Sequence, residues 1–61
     1  MQKTVAVRMS FNQYKIYIDG RLEFEGALPF FRKRPDAVIN TLKLKQWWVG
    51  GVEAELRRVL L

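Results

Sequence analysis

Residues 5 to 18 constrain the fold more tightly than any other stretch. Val5, Val7, Met9 and Phe11 alternate with Ala6, Arg8 and Ser10, and Tyr14, Ile16 and Ile18 alternate with Lys15 and Tyr17. A period of two marks half-buried strands, because successive side chains of a strand point to opposite faces. If Asn12-Gln13 is a two-residue turn, Phe11 lies opposite Tyr14, Met9 opposite Ile16 and Val7 opposite Ile18. The apolar sets of both strands then share one face, and that face requires a cover.

A third strand should follow Asp19-Gly20. Read as a two-residue turn, this dipeptide sets Ile16 opposite Glu23 and Tyr17 opposite Leu22, which mixes the faces, so parity argues against it. A three-residue loop of Ile18, Asp19 and a left-handed Gly20 instead pairs Ile16 with Leu22 and Tyr14 with Phe24. Lys15 then meets Glu23 on the outer face, with Tyr17 beside Arg21. The expected sheet is a three-stranded meander over residues 4–11, 14–18 and 21–25, ended by Gly26.

Pro35 and Asp36 read as a helix start, the proline suiting the boundary and the carboxylate capping free backbone N–H groups. The helix is predicted to run to Trp48 or Val49 and to stop at Gly50-Gly51. Its core stripe is Val38, Leu42 and Val49 with Ile39 beside them. At about 100° per residue Trp47 falls almost opposite that stripe and Trp48 to one side of it. In the tail "VEAELRRVLL", Val52, Leu56, Val59 and Leu60 fit a helical stripe, with Glu53 four residues before Arg57. Val52, Ala54 and Leu56 fit a strand equally well. Propensity leans helical, whereas a fourth strand would cover an open sheet edge. The fold class is thus α+β: a three-stranded antiparallel meander packed by one helix, then a fourth strand or a short second helix, with β-β-β-α-β slightly favoured. Residues 1–61 form one domain.

A chain of 61 residues hides only about 60% of the surface its unfolded form exposes. There is no cysteine and no histidine, which removes disulfides, thiolate chemistry, the usual zinc sites and the usual base near neutral pH. No apolar run approaches the roughly 20 residues of a membrane span, and the N-terminus lacks a signal-type apolar core, so a soluble, cytoplasmic protein is expected. Thr4, Ser10 and Thr41 have no histidine to activate them, and no glycine-rich phosphate loop is present. Glu23 and Glu25 share a strand with nothing to enclose a substrate between them. No enzymatic activity, cofactor or metal is expected.

The charge of +5 is unevenly placed. Residues 1–26 hold four bases and three acids (+1), residues 27–45 five bases and one acid (+4), and residues 46–61 two of each (0). Such clustering favours an acidic or polyanionic partner. Its centre is "LPFFRKRPD", where Phe30 and Phe31 precede Arg32, Lys33 and Arg34. In an extended, proline-bounded segment adjacent rings project to opposite sides, so one can seal the core while the other faces out among the cations. Lys43, Lys45 and Trp47 are expected to extend this face. Tyr17 with Arg8 and Arg21 on the outer sheet is a rival platform, suited to stacking single-stranded bases.

The segment "DAVINTLKLKQWWVGGVEAELRR", residues 36–58, resembles small early bacteriophage proteins that bind and inhibit host RNA polymerase: a capped helix ending in tryptophan, a glycine turn and a final segment with arginines. In that family the final segment is a strand whose arginines touch the polymerase, and the resemblance carries this role to Arg57 and Arg58. The leading expectation is a non-enzymatic protein that docks on acidic polymerase surface or competes for its DNA path. Phe31 or Trp47 would be the apolar anchor, and Arg32, Lys33, Arg34, Arg57 and Arg58 would supply charge pairing. The alternatives are direct binding of single-stranded nucleic acid through the same residues and a homodimeric subunit whose exposed tryptophan completes a shared core.

Overall fold

The computed structural model describes residues 3–61. In chain order it contains β1 (Val5–Ser10), β2 (Gln13–Ile18), β3 (Arg21–Ala27), α1 (Leu28–Lys33), α2 (Pro35–Leu42) and α3 (Val52–Leu60). The strands form an antiparallel meander in the order β1-β2-β3. Tyr14, Ile16 and Ile18 of the central strand are buried against Phe31 of α1, Val38, Ile39 and Leu42 of α2, and Val52, Leu56 and Leu60 of α3. The fold class is therefore α+β, with the meander's apolar face covered by helices.

The first hairpin keeps the expected face but moves by two residues. Val5 pairs with Ile18, Val7 with Ile16 and Met9 with Tyr14, so the turn is Phe11-Asn12 and not Asn12-Gln13. Asn12 sits at φ 60°, a left-handed conformation that asparagine tolerates and glutamine resists. An even shift preserves parity, so Val5 and Val7 still pack against the core, whereas Met9 near the turn is 48% exposed and Phe11 becomes the exposed tip.

The second hairpin overturns the expected loop. Asp19 and Gly20 both take positive φ, 52° and 83°, and Ile18 pairs directly with Arg21, so the two-residue turn that parity opposes does form. The parity conflict is resolved farther along. Tyr17 pairs with Leu22 but Ile16 pairs with Phe24, so Glu23 is an extra residue on β3 and the register shifts there. A bulge of this kind flips the faces of the residues beyond it. Leu22, expected opposite Ile16 on the inner face, instead lies on the outer face beside Tyr17; Phe24 pairs with Ile16 and Gly26 with Tyr14 on the inner face, and Lys15 meets Glu25 in place of Glu23. Gly26 does not end the strand, which runs on to Ala27.

Three further expectations are corrected by the helices. First, "LPFFRK" is helical, α1, and not an extended loop. Second, α2 ends at Leu42, well short of Trp48. Beyond it the amides of Leu44 and Lys45 bond to the carbonyls three residues back, the chain turns, and Trp48 N–H closes onto the Lys45 carbonyl. The reason is Trp47: on a continued helix its indole would face away from the core, whereas the turn leaves it 8% exposed, at the expense of Leu44, which is 85% exposed. Third, residues 52–60 form a helix and not a fourth strand. Val52, Leu56 and Leu60, spaced by four, are all fully buried, and Gly51 at φ 93° turns the chain into the helix. Asp36 makes no side-chain cap on α2; its carboxylate is engaged elsewhere.

Gly26 is required by a close approach. A Cβ built there would lie 2.8 Å from the Tyr14 hydroxyl oxygen and 2.9 Å from Cζ, and the buried ring has little room to retreat. Gly26→Ala is expected to destabilise the fold by about 1–3 kcal/mol, the usual range for overpacking. A urea unfolding curve reads this directly, and an unchanged midpoint contradicts it.

Candidate docking surface

Helix α1 separates the two phenylalanines. Phe31 is fully buried, its ring 5.4 Å from that of Tyr14 in an edge-on arrangement, while Phe30 is 55% exposed. One ring goes in and one comes out, as the sequence implied, but through a helical rotation of about 100° per residue. The identity of the anchor changes accordingly. Phe31 and Trp47 are core and unavailable to a partner, and the exposed ring is Phe30. Trp48 is half-buried beside Trp47, with ring centroids 6.0 Å apart.

The cations sort into engaged and free. Arg32 Nε donates to the Leu60 carbonyl at 3.2 Å, satisfying an open acceptor at the end of α3. Lys43 pairs with Glu53 at 3.0 Å, which also accepts from Arg57 Nε at 3.3 Å. Arg57 Nη2 reaches Asp36 at 2.6 Å, and Arg58 pairs with Glu55. The Arg57–Asp36 and Lys43–Glu53 pairs tie α3 to α2 and to the turn after it, Arg32 ties α1 to the end of α3, and Arg58–Glu55 lies within α3. Arg57 and Arg58, the positions to which the resemblance assigns partner contact, therefore face internal carboxylates, on a helix where the resemblance implies a strand. Among the described residues, Lys33, Arg34 and Lys45 have no carboxylate partner, and all three are exposed.

The charge pairs act on titration. Hydrogen bonding from Lys43, aided by Arg57, holds the Glu53 carboxyl below its ordinary range, and Arg58 does the same for Glu55. The Arg57 guanidinium is pushed up, first by Asp36 and then by Glu53. A carboxylate with a depressed folded pKa adds stability above its unfolded value, about 4.3 for Glu, and loses it as pH falls through the lower folded value. Stability is therefore expected to decline on acidification below that point, and Glu53→Gln should flatten part of the decline. Urea midpoints measured across the acid range for both proteins test this; parallel curves would reject it.

Phe30 stands at the rim of a cleft of about 200 Å³ between β3 and α2. Tyr14, Phe24, Gly26 and Val38 line it, with Ala27, Ala37 and Thr41 completing the wall. Apart from Phe30, none of these is marked by sequence reasoning as part of a site. Gly26 carries a usable signal, since glycine inside a strand pattern often marks a close approach of two groups. On the opposite face of the sheet, the Arg8 guanidinium lies 5.9 Å from the centre of the Tyr17 ring. There a shallow depression of about 370 Å³ is lined by Thr4, Ala6, Arg8, Tyr17 and Gly20. Arg21 is not among those lining residues: it pairs with Ile18 at the turn, and Leu22 takes the place beside Tyr17.

Among the described residues no three acidic side chains converge in a way that could hold a metal ion, and no helix is long and apolar enough to cross a membrane. No protein-family model matches the chain, and neither a curated protein nor a solved structure is found to be similar to it.

Proposed function

We propose that this chain is a small non-enzymatic binding protein, phage-encoded and active in the host cytoplasm, that inhibits transcription by occupying a surface of host RNA polymerase. One observation carries the reading. Phe30 and Lys33, three residues apart, are exposed on α1, Phe30 lines an apolar cleft, and the exposed Arg34 follows at the end of the helix, with neither cation paired to a carboxylate. An exposed aromatic ring flanked by unpaired bases suits an acidic protein surface, the ring supplying the desolvated anchor and the cations steering approach. Arg32 and Arg57 support this face by holding the helices together, while Arg58 pairs with Glu55 within α3.

A second reading is favoured by the Arg8–Tyr17 pair on the outer sheet, which offers a cation and a ring to single-stranded nucleic acid. Salt and template separate the two. Purified polymerase free of nucleic acid should capture the protein, and transcription in vitro should fall as the protein is added. If polymerase captures nothing and transcription is unaffected, the first reading is lost. A labelled oligothymidylate that binds with a steep salt dependence, and is released by Arg8→Glu, would install the second.

A further inference from the structure

We propose that the cleft between β3 and α2 is a binding site for a small neutral molecule: one flat apolar ring with a hydrogen-bond acceptor, such as a carbonyl oxygen, attached to it. The Tyr14 hydroxyl donates to that acceptor. The site goes beyond the polymerase reading and does not depend on it.

Tyr14 holds a buried hydroxyl without a partner. The residue belongs to the core cluster and is 2% exposed, yet among the described residues none hydrogen-bonds to its hydroxyl. Buried polar groups are nearly always paired, so one left open calls for something that fits it. The hydroxyl is not sealed off either, since among the described residues no side-chain oxygen or nitrogen is both shut away from solvent and unpaired. Its oxygen lies over Gly26, 2.8 Å from where a Cβ would stand. Tyr14 and Gly26 both line the cleft, so the open part of the hydroxyl faces that space. Burial pushes the Tyr14 phenol up from its ordinary range, which keeps the proton in place and makes the group a donor near neutral pH.

The rest of the lining selects the shape and charge of the ligand. Phe24, its ring centre 6.2 Å from that of Tyr14, and Phe30 at the exposed rim give aromatic walls against which a flat ring packs well. From α2 come Ala37, Val38 and Thr41. The Thr41 hydroxyl already donates to the Ala37 carbonyl at 3.0 Å, which leaves Tyr14 as the one uncommitted side-chain donor of the lining. No lining residue is charged. A carboxylate or ammonium group entering the cleft would lose water and meet no counter-charge, so the acceptor is neutral.

Volume sets the size. An apolar cavity of about 150 Å³ holds a benzene ring, and drug-sized ligands need about 300 Å³ or more. The cleft offers about 200 Å³, room for one ring with a carbonyl group and little else. Such a molecule fits whole, so the site is complete without any contact outside the cleft. A free ligand needs that, whereas a partner's side chain does not.

The probe is acetophenone, titrated into the full 15N-labelled chain. Amide shifts are expected at Gly26, Ala27, Val38 and Thr41, with a dissociation constant on the order of a millimolar or below, as suits a ligand of about nine non-hydrogen atoms. Tyr14→Phe should weaken acetophenone by about threefold to tenfold and leave ethylbenzene, which has the same outline without the acceptor, unweakened. Because the lost hydroxyl has no partner in the fold, the urea midpoint of Tyr14→Phe should be no lower than that of the parent. Benzoate, the charged analogue, should bind about tenfold or more weaker than acetophenone. Ala37→Phe, at an exposed helix position where the fold is expected to survive, should fill the cleft and abolish binding of both neutral probes. The proposal is overturned if these amides do not shift up to the solubility of acetophenone, if Tyr14→Phe weakens both neutral probes equally or neither, or if benzoate binds as well as acetophenone. Tighter binding of N-acetyltyrosinamide than of acetophenone would also overturn it, by assigning the cleft to a protein side chain.

Discussion

Phe31→Ala is expected to lower the unfolding midpoint steeply, whereas Phe30→Ala leaves it nearly unchanged. Phe31 is fully buried, edge-on to Tyr14, and in the same core cluster as residues of α2 and α3. Truncating a buried Phe costs about 3–5 kcal/mol, from lost transfer energy and the cavity left behind. A chain of 61 residues holds about 3–9 kcal/mol in total at the usual stability per residue. One substitution thus removes a third to all of the stability. Phe30, its immediate neighbour, is 55% exposed, and a surface change of that kind stays within about 0.5–1 kcal/mol. Chemical denaturation followed through the emission of buried Trp47 compares the two. Equal midpoints for the variants would mean that the rings are not divided between core and surface as described.

The division of those two rings also shows where the sequence is readable. Periodicity sets the faces of β1 and β2, because a shift of two residues changes partners without changing sides. It fails at β3, where parity holds only if no bulge intervenes. A bulge at Glu23 has no compositional marker, and its presence is set by two local preferences that conflict: the Asp19-Gly20 turn and the inward packing of Phe24. Both are satisfied once a residue is inserted between them. The end of α2 is illegible for a related reason. No glycine or proline follows Leu42 until Gly50, so the break responds to the burial of Trp47, which is a tertiary demand.

The candidate site is legible in part. The cluster of bases between residues 32 and 34 is plain in the sequence, but which of them remain free depends on where distant acceptors sit. Glu53 and Arg57 are four apart on a helix, and their pairing can be anticipated. The approach of Asp36 to Arg57, or of Arg32 to the Leu60 carbonyl, links residues far apart in the chain and depends on how α3 packs. The resemblance to phage polymerase inhibitors points to Arg57 and Arg58 through a strand that is here a helix. The corner at Phe30, Lys33 and Arg34 replaces them as the proposed contact.

That replacement leads to a sharp contrast between charge reversals at the end of α1 and on α3. Lys33→Glu combined with Arg34→Glu should leave folding nearly unchanged, since both side chains are exposed and neither holds an internal partner. Capture by polymerase should fall about a hundredfold, because two steering cations become repulsive and a ring at their centre loses its charged surround. Much of that loss should appear in the association rate, and it should shrink as salt is added. Arg57→Glu should behave in the opposite sense. It sets a third acid between Asp36 and Glu53, so its effect is on the packing of α3 against α2, seen as a lower urea midpoint whether or not polymerase is present. Association rates from surface plasmon resonance at two salt concentrations, taken with unfolding curves, separate the cases. A Lys33→Glu, Arg34→Glu protein that binds at the original rate, beside a folded Arg57→Glu protein that does not bind, would return the contact to α3 and remove it from α1.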